Sequence, residues 1–149
     1  MPAFISWEPE TQSYTEIKPN KLTEEFHTPE EYGDNWSDQL EAEDINFISN
    51  YFNQIEYLKD WLGCVHIEVG GVTNTIALSE AKSEIIFKVP RNSLMAAIRY
   101  EIFDDLLIGN FMKTTLINVE GLGVDFTPYV TKYADNNLAK THHQIKAYF

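Results

Sequence analysis

The sequence predicts an α+β domain: a largely antiparallel sheet of about four to five strands, with a long N-terminal helix and several short helices. Three observations carry this. Apolar residues recur at three- and four-residue steps over Glu41–Leu62 and at two-residue steps over Cys64–Val89, and the helical signals beyond Pro90 are short, one of them ended by Gly109. A run of strands followed by helices distinguishes this class from alternating α/β folds. With 149 residues, 44% hydrophobic and 23% charged, the chain suits one domain, 1–149, without repeats or low-complexity tracts.

Residues 1–40 are polar and punctuated by Pro2, Pro9, Pro19 and Pro29. They read as an arm packed on a 41–149 core through Phe4, Trp7, Tyr14 and Phe26, with a short strand at Ser13–Ile17. Thr28-Pro29-Glu30-Glu31 opens a helical turn, with a capping residue, proline in the first position and acids in the first turn; Gly33 ends it. Over Glu41–Leu62, Ile45, Ile48, Phe52, Ile55, Leu58 and Leu62 form one apolar stripe, and Gly63 takes the position just past the helix end.

Cys64–Val69 alternates, with Val65, Ile67 and Val69 on one face and Cys64, His66 and Glu68 on the other. Gly70-Gly71 turns the chain into a second strand, Val72–Leu78, and Ser83–Val89 follows as the third strand of a meander, stopped by Pro90. Asn92 or Ser93 caps a helix over Leu94–Tyr100, and Phe103–Asn110 adds a second helical turn. Phe111–Val119 is rich in β-formers and predicts a fourth strand, and short helices open at Thr127-Pro128 and at Thr141.

The formal net charge is −12, from 23 acidic and 11 basic side chains. So acidic a surface repels nucleic-acid phosphates and anionic membranes, which excludes both as general partners. One cysteine, Cys64, allows no internal disulfide, and no segment approaches the roughly 18 apolar residues of a span. The first residues lack the pattern of a signal peptide, so a cytoplasmic location is the expectation.

Few residues group in ways that carry chemistry. Glu24-x-x-His27 has the spacing of a di-iron ligand pair but stands alone, and the adjacent His142 and His143 point about 100° apart on a helix, so both read as surface groups. Cys64 and His66 share a strand face. The spacing of about 6.5–7 Å along the strand is long for a direct hydrogen bond, and a half-exposed strand face is the expectation. Asp104-Asp105 lies among apolar residues, which would raise a carboxyl's pKa, although either aspartate also suits the cap of the turn at Leu106–Ile108. Gly70-Gly71 and Gly121-Leu122-Gly123 precede no phosphate-binding helix, and no serine sits in a nucleophile elbow. Phe87, Leu94, Met95, Ile98, Phe103, Leu107, Phe111 and Met112 line either a pocket between sheet and helices or an ordinary core. No metal site and no cofactor site is assigned.

Over Ser83–Val119 the chain resembles a sterol-carrier-type (SCP2-like) domain: Ile-Ile-Phe-Lys-Val, then Pro90-Arg91-Asn92-Ser93-Leu94, then Ile108-Gly109-Asn110-Phe111-Met112-Lys113 entering a strand. Val69-Gly70-Gly71, Phe103–Phe111 and Lys132-Tyr133-Ala134-Asp135-Asn136 are similar to accessory regions C-terminal to metallo-β-lactamase-fold hydrolases, without the His-x-His-x-Asp-His motif of those enzymes. The resemblance implies a non-catalytic accessory or subunit domain that supports dimerisation or substrate binding for such a partner enzyme. Two other classes stay open: a carrier of a small apolar ligand, and an enzyme with a site near Asp104/Asp105 or Cys64/His66.

Overall fold

The structure, a computed structural model, describes residues 4–17, 27–109, 111–135 and 138–148. Expectations on Glu24, Phe26, Asn110, Asn136, Phe149 and the side chain of Phe4 lie outside the described residues. Strands β1 (Phe4–Glu8) and β2 (Ser13–Ile17) form an antiparallel hairpin. Its Trp7 and Tyr14 rings pack on each other at 4.7 Å and face solvent, so neither is the buried anchor expected of them. A 3-10 turn at Pro29–Tyr32 matches the signal at Thr28-Pro29, and Gly33 closes it at φ 76°. Next come helices α1 (Ala42–Asn53) and α2 (Glu56–Lys59) and strands β3 (Cys64–Val69), β4 (Val72–Ala77) and β5 (Glu84–Lys88). They are followed by α3 (Arg91–Tyr100), α4 (Phe103–Gly109), β6 (Lys113–Ile117), α5 (Leu122–Asp125), a π-helical segment Pro128–Ala134, and α6 (His142–Ile145).

The class is α+β, but two expectations need correction. The single helix over Glu41–Leu62 is two helices. Ile55 adopts an extended backbone, and the Glu56 amide donates to the Lys140 carbonyl at 2.9 Å instead of continuing the helix. The break turns Ile55, Leu58 and Leu62 all fully inward. Gly63 therefore does not close a helix, because α2 ends at Lys59.

The second correction concerns the sheet, which is mixed: its two outer pairings are antiparallel, but the central one, β3 with β5, is parallel. Its order is β4-β3-β5-β6: β5 lies beside β3 and parallel to it, and β6 pairs antiparallel with β5. The meander is not formed. Residues 78–83 cross the start of β3 so that β4 and β5 flank it. The crossing is tied at Gly63, whose amide donates to the Ser83 carbonyl at 2.8 Å and whose carbonyl accepts from the amides of Leu78 (2.8 Å) and Ser79 (3.1 Å). A Cβ at Gly63 would stand 2.0 Å from the Ala81 carbonyl oxygen, so glycine is the residue that lets the loop pass.

One sheet face carries the core: Val65, Ile67 and Val69 of β3, Ile76 of β4, and Ile85 and Phe87 of β5 are buried beneath the helices. The rings of Phe52, Phe87 and Phe126 pack around Phe103 at 5.3–6.0 Å. The opposite face is half-buried or exposed throughout β3 and β5, so the sheet and its helices make two layers.

Three buried aspartates tie the helices to one another and to the segments around them. The Asp34 carboxylate accepts from the amides of Asn92 (3.2 Å) and Ser93 (2.7 Å) and from the Ser93 hydroxyl (2.7 Å). The start of α3 is thus capped from a distant segment, not by Asn92 or Ser93 as expected. Asp44 pairs with Arg91 at 2.6 Å and accepts from the Glu41 amide. Burial alone would raise its pKa, but that amide and the guanidinium hold it below the usual value. Asp135 is the third. No helix among the described residues is long and apolar enough to cross a membrane.

Candidate functional site

The outward sheet face is ordered in rows by the strand register. Cys64 stands between Ala77 of β4 and Glu84 of β5, and the next row places His66 between Thr75 and Ile86. Alternation along β3 that buries Val65 and Ile67 necessarily turns Cys64 and His66 outward together. Because β5 is the parallel neighbour of β3, Glu84 joins them.

His66 Nε2 lies 3.2 Å from Cys64 Sγ and 3.0 Å from Glu84 Oε2, while Nδ1 lies 2.8 Å from Thr75 Oγ1. The expectation against a direct Cys64–His66 hydrogen bond is corrected: the Cα spacing along the strand is long, but the side chains lean together over one point. The His66 side chain is 19% exposed and that of Glu84 36%, so the cluster is accessible without being fully solvated. Burial, followed by the charge and hydrogen bond of Glu84, pushes the Cys64 thiol above its usual pKa.

This geometry separates two kinds of chemistry. A nucleophilic relay needs the thiol on one ring nitrogen and the orienting acid on the other. Here thiol and carboxylate meet the same nitrogen, the second nitrogen goes to a threonine, and Glu84 disfavours the thiolate that a nucleophile requires. Three donor groups converging on one point suit a held ligand. Cys64, His66 and Glu84 each offer a ligand atom, and these atoms lie within 4.8 Å of one another.

Glu84 escaped sequence reasoning. A meander puts it two strands away from His66, and no local spacing signals a parallel neighbour 18 residues on.

The remaining candidates fall elsewhere. Asp104 is half-buried and Asp105 exposed in the first turn of α4. The Asp135 carboxylate caps that turn: it accepts from the Asp104 amide at 3.3 Å and from the Tyr51 hydroxyl at 2.8 Å. At 1% exposure, burial raises the Asp135 pKa despite these bonds, and burial and the Asp135 charge push Tyr51 up as well.

Phe87, Leu94, Met95, Ile98 and Phe103 are buried together in the main core, with Leu107 and Met112 packed at its margin. Phe111 stands against Tyr32, with ring centroids 6.0 Å apart. His27 contacts Glu31 at 2.9 Å. His142 is clamped by Glu56 (2.9 Å) and Asp60 (2.7 Å) beside the Tyr57 ring; the carboxylate of Asp60, burial notwithstanding, and that of Glu56 raise its pKa. His143 is exposed.

No family model, no curated protein and no solved structure matches the chain.

Proposed function

We propose that the chain is a non-catalytic binding domain whose working site is the Cys64–His66–Glu84 cluster on the open face of its sheet. The observation that carries this reading is the meeting of thiol and carboxylate on one ring nitrogen, at 3.2 and 3.0 Å. The packed aromatic centre also favours it over a carrier with an interior apolar cavity, since Phe52, Phe87, Phe103 and Phe126 are wholly buried against one another. A domain of this kind serves as an accessory or subunit part, which is also what the resemblance to regions beside metallo-β-lactamase-fold hydrolases implies. That partner class and a sterol-carrier-type fold are part of the same proposal.

The test is the reactivity of Cys64 towards iodoacetamide at neutral pH, in the presence of a chelator. A holding site predicts alkylation no faster than that of glutathione. A rate about tenfold faster, the mark of an activated thiolate, overturns the reading in favour of a cysteine nucleophile.

A further inference from the structure

We infer that Cys64, His66 and Glu84 form a site for one zinc-class divalent cation, with the fourth coordination position open to solvent. This deepens the binding reading above and rests on it. The donor set is a soft thiol, an imidazole and a carboxylate, the three side-chain types that bind zinc.

The spacing is close to what the ion needs. Zinc bond lengths at tetrahedral angles place sulfur about 3.6 Å and carboxylate oxygen about 3.4 Å from the imidazole nitrogen. The observed separations are 3.2 and 3.0 Å, so side-chain rotations of a few tenths of an ångström admit the ion.

The surroundings fit as well. Metal-bound histidines are oriented through their other nitrogen, and Thr75 Oγ1 at 2.8 Å from Nδ1 fills that role. All three ligands come from the two central strands of the sheet, β3 and β5, so the scaffold is rigid. Ala77, opposite Cys64, adds only a methyl group at this point. The net charge of −12 draws cations towards the surface. On binding, the Cys64 thiol gives up its proton to the buffer and sulfur bonds the ion. Any proton on His66 Nε2 leaves in the same way, and the carboxylate of Glu84 supplies the second negative charge.

The experiment titrates the full chain with zinc alone by calorimetry, and with cobalt(II) by absorption. One zinc per chain in the micromolar range or tighter is expected, with a thiolate-to-cobalt charge-transfer band that reports Cys64 without any substitution. Cys64→Ser and Glu84→Gln should weaken zinc by more than about 100-fold, and Thr75→Val by about tenfold or more, while His142→Asn leaves binding unchanged. Circular dichroism confirms that each variant is folded. The absence of stoichiometric zinc, a cobalt complex without the thiolate band, or binding that follows His142 overturns the inference. If zinc fails while Cys64 remains slow to alkylate, this inference falls and the binding reading stands. If Cys64 alkylates fast, the binding reading falls, and this inference with it.

Discussion

Replacing Gly63 with alanine probes the crossing that gives the sheet its order. The new methyl carbon would stand 2.0 Å from the Ala81 carbonyl oxygen, 2.9 Å from the Ala81 carbonyl carbon and 3.1 Å from the Ser83 oxygen. All three are backbone atoms, so no side chain can swing away. An ordinary carbon–oxygen contact is about 3.3 Å or longer, so the loop must retreat by more than about 1 Å. That displacement breaks or stretches the three hydrogen bonds between Gly63 and residues 78–83. At about 0.5–1.5 kcal/mol each, their loss costs about 2–4 kcal/mol, a large share of a domain's stability. Urea unfolding monitored by circular dichroism reads this directly, and a chain of this size should lose roughly 5–15 °C in Tm. Gly109→Ala is the control, because its Cβ meets nothing within 4 Å and a small gain is expected. A Gly63→Ala variant within about 0.5 kcal/mol of the parent refutes the crossing geometry. Zinc affinity should fall in the same variant, since the loop positions Glu84.

Four further outcomes follow from the buried carboxylates and the histidine clamp. Asp34→Ala removes the acceptor of two α3 amides and should cost about 1–2 kcal/mol in urea unfolding, with Asp34→Asn recovering part of it. Asp135→Ala strands the Tyr51 hydroxyl and the α4 amide and should cost about 2–3 kcal/mol, whereas the isosteric Asp135→Asn costs less. Because the folded pKa of Asp135 lies above its unfolded value, the parent loses stability as pH rises from the unfolded to the folded value; Asp135→Asn should lack that slope. His142 also has a raised folded pKa, so its contribution is complete below the unfolded value of about 6.5 and fades as pH climbs through the folded one. Comparing thermal midpoints of the parent and His142→Asn from pH 6 to 9 should therefore show the gap closing as pH rises.

What the sequence made legible was local. The two-residue alternation of Cys64–Val69 assigned each side chain to its observed face, because burial of Val65, Ile67 and Val69 enforces it. The Thr141 start of α6 was likewise set by neighbouring residues: Thr141 accepts from the Gln144 amide at 3.1 Å. What escaped was non-local. Nothing near Ser93 reveals that Asp34, 59 residues upstream, supplies its cap, and nothing near Ile55 reveals that Lys140 terminates the helix there. The candidate site was lost in the same way. Cys64 and His66 were visible as a pair, but their third member depends on which strand lies beside β3, and Gly63, the residue that decides this, also resembles an ordinary helix end.

The crossing has a kinetic consequence as well. Cys64, the only cysteine of the chain, sits in the row Ala77–Cys64–Glu84–Ile117, where all four strands meet. The β3–β4 hairpin closes over two residues and can form early in folding, but Glu84 reaches His66 only once the loop has wrapped past Gly63 and β5 has settled in register. A one-residue slip would turn Glu84 inward and Ile85 outward, so partial or shifted pairing leaves the cluster unassembled. Protection of this single thiol during refolding is therefore a clock for the arrival of β5, independent of the hairpin that precedes it.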